Sequence, residues 1–170
     1  EEIKFLYASG IKDFQFVDDN FFTSFDRVSE ICNLIVKNNL DIQWKSSFRA
    51  DYFKRLTPEF AELMKRSGLK LLFVGGESGS PEILKRIKKR SSVEDIISSA
   101  MVSKKYDLPL SISFMSGFPY ETEEDRRKTF DLMDRIRDLN PHISIEGINV
   151  FTPYPGNDLY EESRRYGLIE

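Results

Sequence analysis

The stretch Phe73-Val-Gly-Gly-Glu-Ser-Gly-Ser-Pro-Glu82 decides the fold class of this chain. Leu71–Val74 is an apolar run of strand length, and the glycines that follow let the backbone turn sharply and approach a ligand closely. The Ser-Pro-Glu at the end supplies an N-cap, a proline at the first helical position and an acid in the first turn. The stretch therefore predicts a strand that displays Glu77 and two serines at its carboxyl end, where α/β folds place ligand sites.

Length and composition limit the possible functions. The chain has 170 residues with a net charge of −3, so we predict one domain over residues 1–170. The mildly acidic balance offers no basic surface for nucleic acid, and no apolar run is long enough to span a bilayer. We expect no nucleic-acid partner for this segment, no membrane contact and a cytoplasmic location. Cys32 is the only cysteine, so this chain alone builds neither a disulfide framework nor a cysteine metal site.

Apolar or alternating segments predict five strands, and a helical pattern fills each gap between them. The predicted strands are 13–17, 41–48, 70–74, 108–115 and 142–151. Their starts lie about 30 residues apart, which is typical of parallel strands joined by right-handed helical crossovers. This alternation suits either an open doubly wound sheet or part of a (β/α) barrel.

The second predicted strand helps to decide between these two architectures. Its apolar positions, such as Trp44, alternate with the polar series Gln43, Lys45, Ser47 and Arg49. A strand that is buried on both faces is apolar on both, whereas here one face is wholly polar. Ser111 and Ser113 give a later strand a similar face. We therefore predict an α/β fold, a partial (β/α) TIM-like barrel with parallel strands, whose concave side is lined for a polar ligand and whose core includes Trp44.

Each predicted strand finishes in polar or glycine-rich residues. These ends are Asp18-Asp19-Asn20, then Ser47 with Arg49 and Asp51, then Gly75 to Ser80, Met115 to Thr122, and Phe151 to Asn157. Because the carboxyl ends of parallel strands meet at one edge of a sheet, we expect a single ligand site there.

Five short motifs at these ends resemble radical S-adenosylmethionine (radical SAM) enzymes, and most closely the branch whose members often carry a cobalamin-binding domain upstream. The motifs are Phe16-Val-Asp-Asp-Asn-Phe21, Phe48-Arg-Ala-Asp51, Gly76-Glu-Ser-Gly-Ser80, Gly117-Phe-Pro-Tyr-Glu-Thr122 and Pro153-Tyr-Pro-Gly156. The resemblance implies a (β/α)6 core, of which this chain supplies about five βα units, holding a 4Fe–4S cluster and S-adenosylmethionine. Reductive cleavage of that cofactor makes a 5′-deoxyadenosyl radical, which acts on a small-molecule substrate that is unknown. An electron donor, and cobalamin as an option, are implied for the whole protein.

The resemblance also implies which residues bind the cofactor. Asp18 and Asp19, together with Asn20, correspond to the region that meets its amino group, since an ammonium needs acceptors. Arg49 and Lys89 are candidates for its carboxylate, with Ser47 beside them. Glu77 and Ser78 correspond to the region of the ribose hydroxyls. The adenine region comprises Met115, Gly117, Phe118, Phe151 and Thr152.

The chain departs from the family in one respect that bears on activity. The three cluster ligands of the family lie in a CxxxCxxC loop after the first barrel strand, and this chain has no such loop. The sequence begins at Glu1 and is expected to be a fragment that starts just after that loop. Cys32, a single thiol on the apolar face of a predicted helix, cannot replace the three ligands. We therefore place the cluster ligands outside this chain, assign no catalytic or metal-binding residue, and expect the isolated fragment to be inactive.

Other interpretations remain open from the residues alone. A barrel-type lyase or aldolase would use Lys45 as its Schiff-base lysine, and a non-catalytic ligand-binding module would need no cluster loop. At single positions, Arg49 could simply pair with Asp51, Lys89 could belong to a solvated basic helix end, and Glu121 is expected to hold its loop in place.

Overall fold

A five-stranded parallel sheet is the framework of the computed structural model, which describes residues 1–169. The strands are β1 (Asp13–Phe16), β2 (Gln43–Ser47), β3 (Leu69–Glu77), β4 (Leu110–Ser116) and β5 (Ser144–Val150). Each pairs in parallel with the next strand along the chain, in the order β1-β2-β3-β4-β5. This arrangement confirms the predicted parallel α/β sheet of a partial barrel. That residues 1–170 form one domain stays a prediction.

Helices fill the connections, as the periodicity predicts. They are α1 (Glu2–Ala8), α2 (Phe25–Lys37), α3 (Pro58–Arg66), α4 (Pro81–Arg86), α5 (Val93–Tyr106), α6 (Glu123–Leu139) and α7 (Asp158–Arg165). Ser80 caps α4, and reciprocal capping boxes begin α5 at Ser92 and α6 at Thr122. No helix within residues 1–169 is long and apolar enough to cross a membrane.

The core lies between one face of the sheet and the helices. Trp44, Leu72 and Ile112 come from three neighbouring strands and are fully buried, which confirms the predicted core position of Trp44. Its indole Nε1 donates a hydrogen bond of 3.1 Å to Oγ of Ser67. The opposite face of β2 carries exposed Ser47, as the alternation predicts. The polar face of the sheet is therefore available to a ligand.

β3 is longer than predicted, and this corrects the boundary. The sequence pattern ends the strand at Val74, but the strand runs on to Glu77. Gly75 pairs with Ser113 of β4 and Glu77 with Phe114, with an irregularity in the register between them. Pattern reading treats a glycine pair as a turn, whereas here the neighbouring strand supplies partners that keep the glycines in the sheet. Glu77 is therefore the last residue of β3, at the carboxyl end of the central strand.

Candidate functional site

A cavity of about 500 Å³ opens at the carboxyl ends of β1, β2 and β3. Six of the predicted cofactor contacts line it together: Asp19, Asn20, Ser47, Arg49, Glu77 and Lys89. Ser113 of β4 also reaches the wall. A hollow of about 580 Å³ lies elsewhere, on the surface of α6, but its wall consists of residues of that helix and includes no strand end. The strand-end cavity is therefore the candidate site.

The end of β1 supplies hydrogen-bond acceptors to this cavity. Asn20 Nδ2 donates to the hydroxyl of Tyr52 at 2.9 Å, which leaves the amide oxygen as an acceptor. Asp19 adds a carboxylate to the same wall. Asp18 does not line the cavity, because its Oδ1 accepts a hydrogen bond of 3.1 Å from Arg27 Nη2 on the outer surface.

The end of β2 supplies a fixed cation. Nε and Nη2 of Arg49 donate to Oδ1 and Oδ2 of Asp51, both at 2.9 Å, and the guanidinium lies 5.2 Å from the ring centre of Tyr52. The hydrogen bonds with Asp51 raise the pKa of Arg49. Three of its five N–H donors stay available, and Arg49 lines the cavity whereas Asp51 does not. The predicted pair between Arg49 and Asp51 is confirmed. This pair holds the guanidinium at the wall of the cavity.

The end of β3 supplies a carboxylate in an unusual backbone conformation. Glu77 has a φ of +62°, in the left-handed region that residues other than glycine rarely adopt. Its Oε1 accepts a hydrogen bond of 2.6 Å from Nζ of Lys89, and both side chains line the cavity. Strained backbone of this kind costs on the order of 1–3 kcal/mol and clusters at ligand sites.

Ser78 lies outside the cavity and has a structural role. Its side chain is fully buried, shares a hydrogen bond of 3.1 Å with Oγ1 of Thr129 and accepts one from the backbone N–H of Ser80. These bonds join the end of β3 to α6. The predicted contact between Ser78 and a ribose stays a prediction.

The ends of β4 and β5 meet beside the cavity without lining it. The rings of Phe118 and Phe151 are 5.1 Å apart, and Phe118 is buried. Ser116 Oγ and Gly117 N each donate to Oε2 of Glu121 at 2.7 Å, which confirms that Glu121 holds its loop in place. The predicted contacts of adenine with Met115, Gly117, Phe118, Phe151 and Thr152 stay predictions.

Residues 1–169 do not fit an iron–sulfur cluster. Within residues 1–169 no group of three or more His, Cys, Asp or Glu side chains could hold a metal ion. Cys32 is buried on α2, and this burial raises the pKa of its thiol, which disfavours the thiolate that iron requires. No step proposed below is routed through a cluster on these residues.

Comparison with protein families and curated proteins gives consistent matches. The family model of the Radical SAM superfamily matches residues 1–133. An uncharacterized methyltransferase of Pyrococcus horikoshii is 34% identical over 170 residues, covering 99% of this chain and 35% of that protein. The bacteriochlorophyllide d C-12(1)-methyltransferase of Chlorobaculum tepidum is 28% identical over 155 residues, covering 89% of this chain and 31% of that enzyme. The chain thus spans about a third of the length of these relatives.

A solved structure shares the fold. The radical S-adenosylmethionine methyltransferase TsrM from Kitasatospora setae, solved with cobalamin and a [4Fe-4S] cluster bound, matches with a TM-score of 0.75 at 18% identity. The match covers 94% of this chain and 31% of that one. At this identity the likeness establishes the fold, and it agrees with the partial barrel predicted above.

Proposed function

Because this chain belongs to the Radical SAM superfamily, we propose that its strand-end cavity binds S-adenosylmethionine as part of an enzyme that transfers methyl groups. One observation carries the proposal. Three consecutive strand ends bring acceptors, a fixed cation and a carboxylate to the wall of one cavity of about 500 Å³. That volume is in the range of small-molecule sites, roughly 300–1,000 Å³.

The groups on the wall match the cofactor in charge and in hydrogen bonding. Asp19 and the amide oxygen of Asn20 are acceptors for its ammonium. The available N–H donors of Arg49 suit its carboxylate, in a charge-assisted contact. Glu77 accepts from hydroxyls and so suits the ribose. Together these residues favour one orientation of the cofactor in the cavity.

When bound, S-adenosylmethionine supplies the methyl group and the carbon–sulfur bonds whose cleavage the reaction needs. The names of the two curated relatives and of TsrM support methyl transfer as the reaction class. For the whole protein we propose a 4Fe–4S cluster with ligands outside these residues and cobalamin, the two groups bound in the TsrM structure. We also propose an electron donor that reduces the cluster. The acceptor of the methyl group is a small molecule whose identity the cavity does not specify.

The experiment uses the whole protein that contains this chain, purified and reconstituted with iron and sulfide without oxygen. After addition of dithionite and S-adenosylmethionine, 5′-deoxyadenosine and S-adenosylhomocysteine are measured by mass spectrometry. We expect 5′-deoxyadenosine from the whole protein and none from residues 1–170 alone. A whole protein with an assembled cluster that neither binds S-adenosylmethionine nor forms either product would refute the proposal.

The lyase interpretation predicts a different result for one variant. Lys45 lies in β2 on the polar face of the sheet and would be the Schiff-base lysine. Lys45→Ala would then abolish turnover, whereas the proposed function expects cofactor cleavage to persist. The family match and the relatives favour the radical SAM interpretation over both the lyase and the non-catalytic module.

A further inference from the structure

We propose that Tyr52 is a positioning residue that supports two side chains on the wall of the candidate site. Its hydroxyl holds the side chain of Asn20, which accepts from the ammonium of the cofactor. Its ring contacts the guanidinium of Arg49, which donates to the cofactor carboxylate. Tyr52 does not itself line the cavity, so it acts through these two neighbours. The inference rests on the proposed function, since it needs S-adenosylmethionine in the cavity.

The first support is the hydrogen bond between Asn20 and Tyr52. Nδ2 of Asn20 donates to the Tyr52 hydroxyl at 2.9 Å, so the NH2 group is engaged and the amide oxygen is left for a ligand. Asn20 precedes the 3₁₀ helix Phe21–Thr23, where asparagine often caps the backbone, but its side chain makes no capping hydrogen bond. Among residues 1–169, Tyr52 is the group that bonds this amide. The position of the Asn20 side chain therefore depends on Tyr52.

The second support is the contact between the ring of Tyr52 and Arg49. The guanidinium carbon of Arg49 lies over the ring, 5.2 Å from its centre. Asp51 accepts from Nε and Nη2 of the same guanidinium, both at 2.9 Å. The cation–π contact thus adds a second attachment to the bidentate pair. Two attachments restrict the movement of the remaining N–H donors, which are the ones available to the cofactor carboxylate.

Packing holds the ring of Tyr52 in place. The ring centres of Phe25 and Phe48 lie 5.9 and 5.8 Å from it, and both pairs are edge-to-face. The guanidinium carbon of Arg55 lies 5.3 Å from the ring centre of Tyr52 and 4.4 Å from that of Phe25. Aromatic pairs and cation–π contacts of this kind favour a defined ring position. The place of the hydroxyl is therefore set by neighbours other than Asn20.

The backbone that carries Tyr52 is anchored in the core. Tyr52 lies in the 3₁₀ helix Ala50–Arg55, in which Ala50 and Phe53 are each 1% exposed. The N–H of Tyr52 donates to the carbonyl of Arg49 at 3.1 Å. Because two buried residues fix this short helix, Tyr52 offers a rigid support to the ends of β1 and β2.

The experiment measures binding to the whole protein with its cluster assembled, by calorimetric titration. Tyr52→Phe keeps the ring but removes the hydroxyl, and it is expected to raise the Kd of S-adenosylmethionine about fivefold. The deamino analogue of the cofactor keeps the carboxylate but has no ammonium. Its Kd should stay within about twofold of the value for the unchanged protein. Tyr106→Phe, at the end of α5 and outside the cavity, is the matched control and should leave both Kd values unchanged.

A double-mutant cycle separates positioning from a general structural effect. Asn20→Ala is expected to raise the Kd of S-adenosylmethionine about tenfold. Adding Tyr52→Phe to Asn20→Ala should cause less than about twofold further loss, since the hydroxyl acts through Asn20. Two independent effects would instead multiply to about fiftyfold.

A further variant tests the ring. Tyr52→Leu removes the ring together with the hydroxyl, so the Kd of the deamino analogue should now rise about fivefold. Adding Tyr52→Leu to Arg49→Met should change the Kd of that analogue by less than about twofold, because the ring acts on the carboxylate through Arg49. Tyr52→Met serves in the same way if circular dichroism shows that Tyr52→Leu does not fold.

Three outcomes would overturn the inference while leaving the proposed function in place. One is an unchanged Kd of S-adenosylmethionine in Tyr52→Phe. Another is an equal loss for S-adenosylmethionine and its deamino analogue in that variant, which would show that the hydroxyl acts on the nucleoside part or on the fold. The third is effects that multiply in the double-mutant cycle. If the unchanged protein did not bind S-adenosylmethionine, the proposed function itself would fail.

Discussion

The hydroxyl of Ser80, the N-cap of α4, donates a hydrogen bond of 2.5 Å to Oδ1 of Asp125 in the first turn of α6. The other oxygen, Oδ2, accepts from the N–H and the hydroxyl of Thr122 at 3.0 and 2.7 Å. One buried carboxylate thus joins the starts of the two helices that follow β3 and the loop after β4. The position of the start of α4 relative to the start of α6 therefore depends on Asp125.

Replacing Asp125 with alanine is expected to lower the free energy of unfolding by about 3 kcal/mol, because it removes the capping-box partner of Thr122 and leaves the buried hydroxyl of Ser80 without its acceptor. Urea unfolding, followed by the fluorescence of Trp44, the only tryptophan, measures the loss. Asp131→Ala removes an exposed carboxylate from the same helix and should change stability by less than about 0.5 kcal/mol. Equal losses in the two variants would contradict the structural role of Asp125.

The stabilisation by Asp125 should also depend on pH. Burial opposes ionisation of this carboxyl, but the hydrogen bonds from Ser80 and Thr122 outweigh it and lower its pKa below the ordinary 3.8. A lowered pKa gives stability that is complete above the unfolded-state value and is lost as the pH falls through the folded-state value. The stability difference between the unchanged protein and Asp125→Asn should therefore be constant near neutral pH and shrink below about pH 4. If this stability difference grew as the pH fell, the pKa of Asp125 would be raised on folding and not lowered.

Gly75 in β3 and Gly79 just after that strand should respond differently to alanine. At Gly79 a Cβ would lie 2.2 Å from the backbone carbonyl oxygen of Lys128 in α6, so Gly79→Ala should lower the free energy of unfolding by about 3 kcal/mol. At Gly75 the nearest atom belongs to the flexible end of the Glu77 side chain. Gly75→Ala should therefore displace that carboxylate and weaken cofactor binding with a smaller loss of stability. Urea unfolding and calorimetric titration of both variants test this, and losses of equal size in stability would count against it.

Arg49→Met should raise the Kd of S-adenosylmethionine about tenfold, because the variant loses a charge-assisted contact with the carboxylate. The Kd of 5′-methylthioadenosine, which has no carboxylate, should stay within about twofold. Calorimetric titration of the whole protein gives both values. Parallel losses for the two ligands would mean that Arg49 acts on the nucleoside or on the fold.

Cys32→Ala should leave the iron and sulfide content of the reconstituted whole protein unchanged. Cys32 is buried on α2, where burial raises the pKa of its thiol, and alanine replaces it as a small apolar residue. Metal analysis and the visible absorption spectrum provide the measurement. A loss of iron in this variant would place a cluster ligand inside this chain.

Much of the fold could be predicted because its signals are local. The capping boxes Ser92–Asp95 and Thr122–Asp125 each lie within one helical turn, and the polar alternation of β2 lies within one strand. The end of β3 could not be predicted in this way, since the pairing of Gly75 depends on Ser113 of the next strand.

Sequence alone could predict those residues of the candidate site that lie just after a predicted strand. Asp19 and Arg49 lie shortly after the ends of β1 and β2, so position and family resemblance predicted that they share one site, and both line the cavity. Ser78 looked equivalent, but its partner Thr129 lies 51 residues further along, and no local pattern indicates that bond. The pairing of Glu77 with Lys89 likewise depends on how α4 ends, which a run of basic residues does not reveal.

The strand order of the sheet has a consequence for how this protein is made. Each strand pairs with the strand before it in the chain, so its partner has already left the ribosome when it emerges. The sheet can grow by one βα unit at a time at a single moving edge, and each step closes a loop of moderate length. Among the five strands of residues 1–169, none has to insert between two strands that are already paired. The order in which the strands are synthesised is therefore the same as their order in the sheet.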